Sequence, residues 1–160
     1  IGMMQDAGIQ NAMVDFGHDV RVLGRPPEGG GWRIGLEDPR DPGRCWSGAL
    51  VSDMAIASSG NYARGFDCQG KRYGHILDPR SGYPVDNGTL AVSVIAPTCT
   101  EAGILATSAF ILGGEAFFEF LRASHQAEGC MVTTNGTLRT PGFVRYELPS
   151  STMHRGGQSL

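Results

Sequence analysis

The chain has 160 residues, with 13 lysines and arginines against 16 aspartates and glutamates, so its formal net charge at pH 7 is −3. The length predicts one domain, and the acidic balance argues against a nucleic-acid-binding protein. No apolar run approaches the ~18 residues that a membrane-spanning helix requires. Cys45, Cys68, Cys99 and Cys130 are widely spaced, so their spacing does not imply a zinc site and leaves the disulfide state open. Because the chain begins with Ile1 rather than methionine, we expect the natural N-terminus to lie elsewhere.

The first half of the chain is predicted to consist mainly of short strands. A short helix ends at Gly8, and loops rich in glycine and proline separate apolar segments with a period of two. Residues 58–62, with the sequence Ser-Ser-Gly-Asn-Tyr, are typical of a turn. The predicted strands are residues 12–16, 20–23, 32–36, 46–57 and a hairpin over 66–73.

Residues 89–96 form the clearest predicted strand. Val92, Val94 and Ala96 alternate with a second set of small or apolar residues, so both faces of the strand can be buried. We therefore expect this strand at the centre of the sheet. Apolar residues of the following helix, together with Val92 and Val94, are expected to form one core with it: Leu105, Ala109 and Phe110.

The segment after this strand carries the signals of a capped helix. Thr98 and Glu101 fit a capping box, and Gly113 predicts that the helix ends at Leu112. A second helix is predicted over 115–124, and the Asn-Gly pair at 135–136 predicts a final hairpin.

The order of these elements predicts an α+β fold, with a mixed or mostly antiparallel sheet packed against a few helices. Residues 1–146 are predicted to form the domain, and 147–160 a polar tail. Neither a Gly-x-Gly-x-x-Gly fingerprint nor a Walker phosphate loop is present in the sequence.

Residues 72–84 place several chemically active side chains in a turn-rich segment, RYGHILDPRSGYP. Residues 71–77 are predicted to form a strand that carries His75 to a tight turn after Asp78. Histidine can act as a general base near neutral pH, and a carboxylate such as Asp78 can orient it. A plain β-turn with a surface histidine is the alternative interpretation of the segment.

A second candidate site lies on the helix that follows the predicted central strand. Thr100, Gly103 and Thr107 share one helical face, and a helix N-terminus can bind an anion through its free N–H groups. The alternative is a packed helix whose threonines bond backward to carbonyl groups.

Several motifs together resemble the FAD:protein FMN transferase (ApbE) family. Residues 75–84 match its pattern His-Ile-(Ile/Leu)-Asp-Pro-x-(Thr/Ser)-Gly-x-Pro, and 102–107 (AGILAT) match Ala-Asp-x-Leu-Ala-Thr after a strand. Residues 11–19 resemble its Gly-Gly-Asp strand pair, and 58–62 resemble one of its turns. The resemblance extends to about residue 142 and covers the C-terminal half of such an enzyme.

The resemblance implies a flavin transferase that cleaves FAD with Mg²⁺, transfers FMN to a threonine or serine hydroxyl of an acceptor protein, and releases AMP. It implies that His75 is catalytic and that the segment from His75 through Leu77 to Asp78 lines the flavin nucleotide. Gly103 and Thr107 fall on metal-ligand positions. It also implies a periplasmic or membrane-anchored lipoprotein, which the residues themselves do not indicate.

Two departures from the family pattern leave other functions open. The metal-binding aspartate of the family falls on Gly103, which has no side chain. An earlier Asp-Leu-Gly…Gly-Tyr-Ala segment of the family is absent from this chain, so a missing N-terminal half or a second chain is expected to complete the site. The alternatives are an FAD pyrophosphatase, a non-catalytic FAD- or FMN-binding relative, and a structural domain without a ligand.

Overall fold

A computed structural model of the chain describes residues 1–124 and 126–148. The predicted α+β class is confirmed, because strands dominate and three α-helices accompany them within these residues. The elements are α1 (Gly2–Asp6), β1 (Ala12–Phe16), β2 (Asp19–Leu23), β3 (Trp32–Glu37), β4 (Cys45–Val51), β5 (Ala55–Gly60), β6 (Gly65–Cys68), β7 (Lys71–Gly74), β8 (Thr89–Ala96), α2 (Cys99–Leu112), α3 (Ala116–Ala123), β9 (Glu128–Thr133), β10 (Gly136–Arg139), a 3₁₀ turn (Phe143–Arg145) and β11 (Glu147–Leu148).

The strands of the described residues form three sheets, and every pairing between them is antiparallel. The largest has six strands in the order β1-β2-β5-β8-β9-β10, the second has the order β11-β4-β3, and β6 pairs with β7 alone. The predicted central position of β8 is confirmed, since β5 and β9 flank it.

The two faces of β8 belong to two different apolar clusters. Val92 and Val94 pack with α2 residues, including Leu105, Ala109 and Phe110, and this predicted core is confirmed. Ile95 faces the other way and packs with residues of the three-stranded sheet. The six-stranded sheet therefore lies between a helical layer and a second sheet.

Both ends of α2 have hydrogen-bonding caps. The Thr98 side chain accepts a bond of 3.1 Å from the backbone N–H of Glu101, which is one of the two bonds of the predicted capping box. At the other end, the Asn87 amide donates to the carbonyl oxygens of Phe110 and Ile111, and Gly113 adopts a φ of 65°. These contacts satisfy backbone groups that a helix leaves unpaired.

Several predicted boundaries differ from the structure, and the strand predicted over 46–57 is interrupted between β4 and β5. The turn predicted at 58–62 begins too early, because β5 continues to Gly60 in its pairing with β8. The strand predicted over 71–77 ends as β7 at Gly74, so His75 follows it. The polar tail was predicted from Glu147, yet Glu147 and Leu148 pair with β4. The rest of that tail, 149–160, lies outside the described residues.

None of the helices in residues 1–124 and 126–148 is long and apolar enough to cross a membrane. All four cysteines lie in this part of the chain and are free thiols.

We predict that Val94→Asp strongly destabilises the domain. Val94 is fully buried, so the new carboxylate would have neither solvent nor a partner. We expect the free energy of unfolding to fall by about 3 kcal/mol or more, and the melting temperature by about 10 °C, measured by thermal denaturation. Met3→Asp is the control, because Met3 is 88% exposed. An unchanged melting temperature in Val94→Asp would contradict the packing of β8.

Candidate active site

One cavity of about 700 Å³ brings together titratable and hydroxyl-bearing side chains from distant parts of the chain. Its walls come from both larger sheets, from α2 and from the segment after β7. His75, Leu77 and Thr107, which were predicted as site residues, all line it. Gly103 lies one turn before Thr107 on α2, and both Gly103 and Asp78 lie outside the lining.

The segment that carries His75 is held by an alternation of buried and exposed residues. Ile76 is 9% exposed and packs into the core, whereas His75 and Leu77 are exposed on the cavity side. The Ile76 N–H donates to the Asn61 side chain over 3.3 Å, and its carbonyl oxygen accepts from Val85 N over 2.9 Å. These contacts hold the backbone between the two cavity residues.

The turn after this segment is closed by an ion pair. Asp78 accepts bonds from Arg80 Nε at Oδ1 over 2.9 Å and from Arg80 Nη2 at Oδ2 over 2.7 Å, and its Oδ1 also accepts from the Arg80 backbone N–H. The Arg80 side chain first, and then its N–H, lower the pKa of Asp78 to about 2. The carboxylate of Asp78 is thus bound to Arg80, and no hydrogen bond joins it to His75 within the described residues, so its orienting role toward His75 stays a prediction.

Thr107 faces a hydroxyl group of the neighbouring sheet. Its Oγ1 lies 2.9 Å from the Oγ of Ser59 on β5, so the two side chains share a hydrogen bond. At Gly103, an added Cβ atom would meet nothing within 4 Å. This part of the site therefore offers two neutral hydroxyl groups beside an open space.

These donors do not fit a Mg²⁺ ion held by the protein alone. Mg²⁺ is usually bound through one or two carboxylates together with phosphate oxygens and water. No group of three or more His, Cys, Asp or Glu residues that could hold a metal occurs in the described part of the chain. Gly103 contributes no side chain, and the Thr107 hydroxyl is already paired with Ser59.

The cavity also contains a row of small polar side chains that sequence analysis missed. Ser58, Ser93 and Cys130 are aligned across β5, β8 and β9 by the pairing register. The Ser58 and Ser93 hydroxyl oxygens lie 2.8 Å apart. Burial raises the pKa of the Cys130 thiol to about 12, so it stays neutral. The register of strand pairing brings these three residues together, and no local pattern predicts it. The alternation of side chains along residues 89–96 places only Ser93 on a given face.

A second missed contact joins the two larger sheets beside the cavity. The Tyr62 hydroxyl donates to Glu37 Oε2 over 2.6 Å, and Gly43 N–H donates to Glu37 Oε1 over 2.8 Å. The Tyr62 bond is the main reason that the pKa of Glu37 is lowered, and burial followed by the Glu37 bond raises the pKa of Tyr62. Glu37 is thus held as a carboxylate.

The fold and this cavity define an antiparallel α+β domain with a ligand-sized cleft. A sequence model described as the ApbE family matches residues 1–131. The chain belongs to the ApbE family.

The chain is also similar to individual characterised sequences and structures. It is 33% identical over 143 residues to the FAD:protein FMN transferase of Haemophilus influenzae, covering 88% of this chain and 40% of that protein. With the Vibrio cholerae enzyme of the same name it shares 38% identity over 113 residues, covering 70% and 34%. The chain thus spans less than half the length of these relatives.

Solved structures agree with this assignment. The crystal structure of an ApbE protein from Thermotoga maritima superposes with a TM-score of 0.77 at 32% identity, covering 87% of this chain and 45% of that one. The flavin transferase ApbE from Vibrio cholerae gives 0.74 at 30% identity, covering 91% and 47%. The similarity confirms that the predicted family resemblance was correct.

We predict that Tyr62→Phe destabilises the domain in a pH-dependent way. The pKa of Glu37 is lower in the folded state than its ordinary value of 4.5, so its stabilising contribution is complete above about pH 4.5 and is lost as the pH falls through the lower folded value. We expect a loss of about 1 kcal/mol at pH 7, and a smaller loss near pH 3.

Urea unfolding at the two pH values measures this difference. Tyr83→Phe is the control, since Tyr83 is 73% exposed. A Tyr62→Phe deficit that is equal at both pH values would show that the Glu37 carboxylate is not involved.

Proposed function

We propose that the protein containing this chain transfers FMN from FAD to a threonine or serine hydroxyl of an acceptor protein and releases AMP. The observation that carries the proposal is the meeting of His75, Leu77 and Thr107, from distant parts of the sequence, in one cavity. The names of the relatives, FAD:protein FMN transferase, support the transfer of FMN from FAD to a protein. A cavity of about 700 Å³ has the size range of small-molecule sites.

In the proposed reaction, the acceptor hydroxyl oxygen forms a bond to the phosphorus of the FMN moiety. The bond between that phosphorus and the bridging oxygen of the pyrophosphate breaks, and AMP leaves with the bridging oxygen. His75 accepts the proton of the attacking hydroxyl, a role that its exposed position on the cavity wall allows. Leu77 and the backbone beside it line the flavin nucleotide.

Mg²⁺ enters this proposal through the resemblance, because the described side chains do not form a site for it. We propose that the ion binds only with the nucleotide, whose pyrophosphate supplies the charged oxygens that Gly103 lacks. Further ligand contacts are proposed to come from protein outside this chain or from a second chain. A periplasmic or membrane-anchored location is proposed on the resemblance alone.

We predict that His75→Ala in the complete protein slows FMN transfer by roughly 10²–10⁴-fold, because the hydroxyl loses its general base. FAD affinity and melting temperature should stay close to those of the unmodified protein, since His75 is exposed. The assay follows AMP release and flavin attachment to the acceptor. Unchanged turnover would exclude this role for His75.

The same assay separates transfer from hydrolysis. Transfer requires an acceptor and leaves FMN covalently bound, whereas a pyrophosphatase releases AMP and free FMN without an acceptor. Flavin binding without AMP release would instead indicate a non-catalytic flavin-binding protein.

We predict that Gly103→Asp strengthens the Mg²⁺ dependence of FAD turnover at least tenfold, about 1.4 kcal/mol. The position has open space for the new side chain, and a carboxylate there would lie one helical turn before Thr107. The measurements are a Mg²⁺ titration of FMN release and, without turnover, Mn²⁺ binding followed by electron paramagnetic resonance. Gly103→Ala is the matched control, because it improves helix propensity without adding a charge.

Tight Mg²⁺ binding in the unmodified protein, unaltered by Gly103→Asp, would contradict this proposal. It would show that a carboxylate elsewhere in the complete protein holds the ion.

A further inference from the structure

Arg64 lines the cavity, and its guanidinium group has no acceptor among residues 1–124 and 126–148. Other arginines of the chain have carboxylate partners, as Arg80 has Asp78 and Arg139 has Glu147. Arg64 is also exposed, so its charge stays hydrated rather than buried. The cavity therefore contains a positively charged guanidinium group whose N–H donors are not bonded to any described residue.

The carboxylates of the cavity do not neutralise this group. Asp15 accepts the backbone N–H of His18 over 2.9 Å, and Glu37 is bound by Tyr62 and Gly43. Neither carboxylate is paired with Arg64 in the described part of the chain. An anion entering the cavity can therefore take the guanidinium as a partner without breaking an ion pair.

Arg64 and His75 flank the open end of one hairpin. The β6–β7 ladder ends with the pair Gly65 and Gly74, and Arg64 and His75 are the next residues on the two sides. Both residues lie in bends just outside this ladder, so their backbones are close in space. Both side chains accordingly line the same cavity.

Close backbone contacts hold this arrangement. A Cβ atom added to Gly65 would overlap the carbonyl oxygen of Tyr73, and one added to Gly74 would overlap the Asn61 side chain. Asn61 also accepts the Ile76 N–H. The loop that carries Arg64 and the segment that carries His75 are thus packed closely together, with the Asn61 side chain of the loop against Gly74.

We propose that Arg64 binds a phosphate group of the flavin nucleotide beside His75 and so holds the phosphorus near the base. This proposal rests on the proposed function. The planar guanidinium matches the spacing of phosphate oxygens and can donate two parallel hydrogen bonds, which a lysine cannot reproduce. Arg64 would then bind the phosphate of FMN and FAD but contribute little to the affinity for riboflavin, which has none.

The test compares ligands that differ in phosphate, using the complete protein. Arg64→Gln and Arg64→Lys are titrated with FAD, FMN and riboflavin by flavin fluorescence and equilibrium dialysis. We expect Arg64→Gln to weaken FAD and FMN binding at least tenfold and to leave riboflavin binding unchanged. The FAD and FMN affinities of Arg64→Lys should lie between those of the unmodified protein and Arg64→Gln. The difference in affinity between FMN and riboflavin should shrink at high salt.

Arg25→Gln is the matched control, since Arg25 is exposed and lies outside the cavity. It should bind all three ligands like the unmodified protein, and the melting temperatures of all variants should agree. An equal loss for FMN and riboflavin, or unchanged FMN affinity with a weaker acceptor interaction, would overturn the role of Arg64. Failure of the unmodified protein to bind FAD and FMN would instead overturn the proposed function, and this inference with it.

Discussion

Burial of Ile76 is the contact on which the geometry of the cavity depends. Its side chain lies in the same apolar cluster as β8 and α2, and its backbone is bonded to Asn61 on one side and to Val85 on the other. Because side chains alternate along an extended segment, burial of Ile76 leaves His75 and Leu77 exposed where this segment borders the cavity. The proposed base His75 and the proposed ligand-lining residue Leu77 are thus positioned by the burial of the residue between them.

Glycines allow the neighbouring segments to approach this residue closely. Gly74 packs against Asn61, and Gly60 packs under the ring of Tyr62, where an added Cβ would lie 2.8 Å from the ring. Neither position has a left-handed backbone, so glycine is needed there because a larger side chain would not fit. The loop after β5 can therefore contact the His75 segment directly, and Tyr62 can reach Glu37 in the other sheet.

The charges of the site suit an anionic ligand better than a bare cation. The nearby carboxylates are already engaged, Asp78 by Arg80 and Glu37 by Tyr62. Thr107 and Ser59 offer hydroxyl groups that are bonded to each other. A metal ion at this position would have to rely on a ligand for most of its negative charge.

Much of the fold could be predicted from local patterns. The apolar run of β8, the Thr98 cap, the stop at Gly113 and the Asn-Gly turn each reflect chemistry within a few residues, and each was predicted near its place in the structure. The motif around His75 also identified the family, because its turn residues and their order are visible in the sequence alone.

Only the tertiary structure determines which side chains meet in the cavity. Ser59 and Thr107 are 48 residues apart, and Tyr62 and Glu37 are 25 apart. Their contacts depend on strand register and on the packing of a helix and a second sheet, which leave no local pattern. Turn and side-chain geometry likewise determine that Arg80 is the partner of Asp78. From the sequence alone, this carboxylate has more than one possible partner nearby.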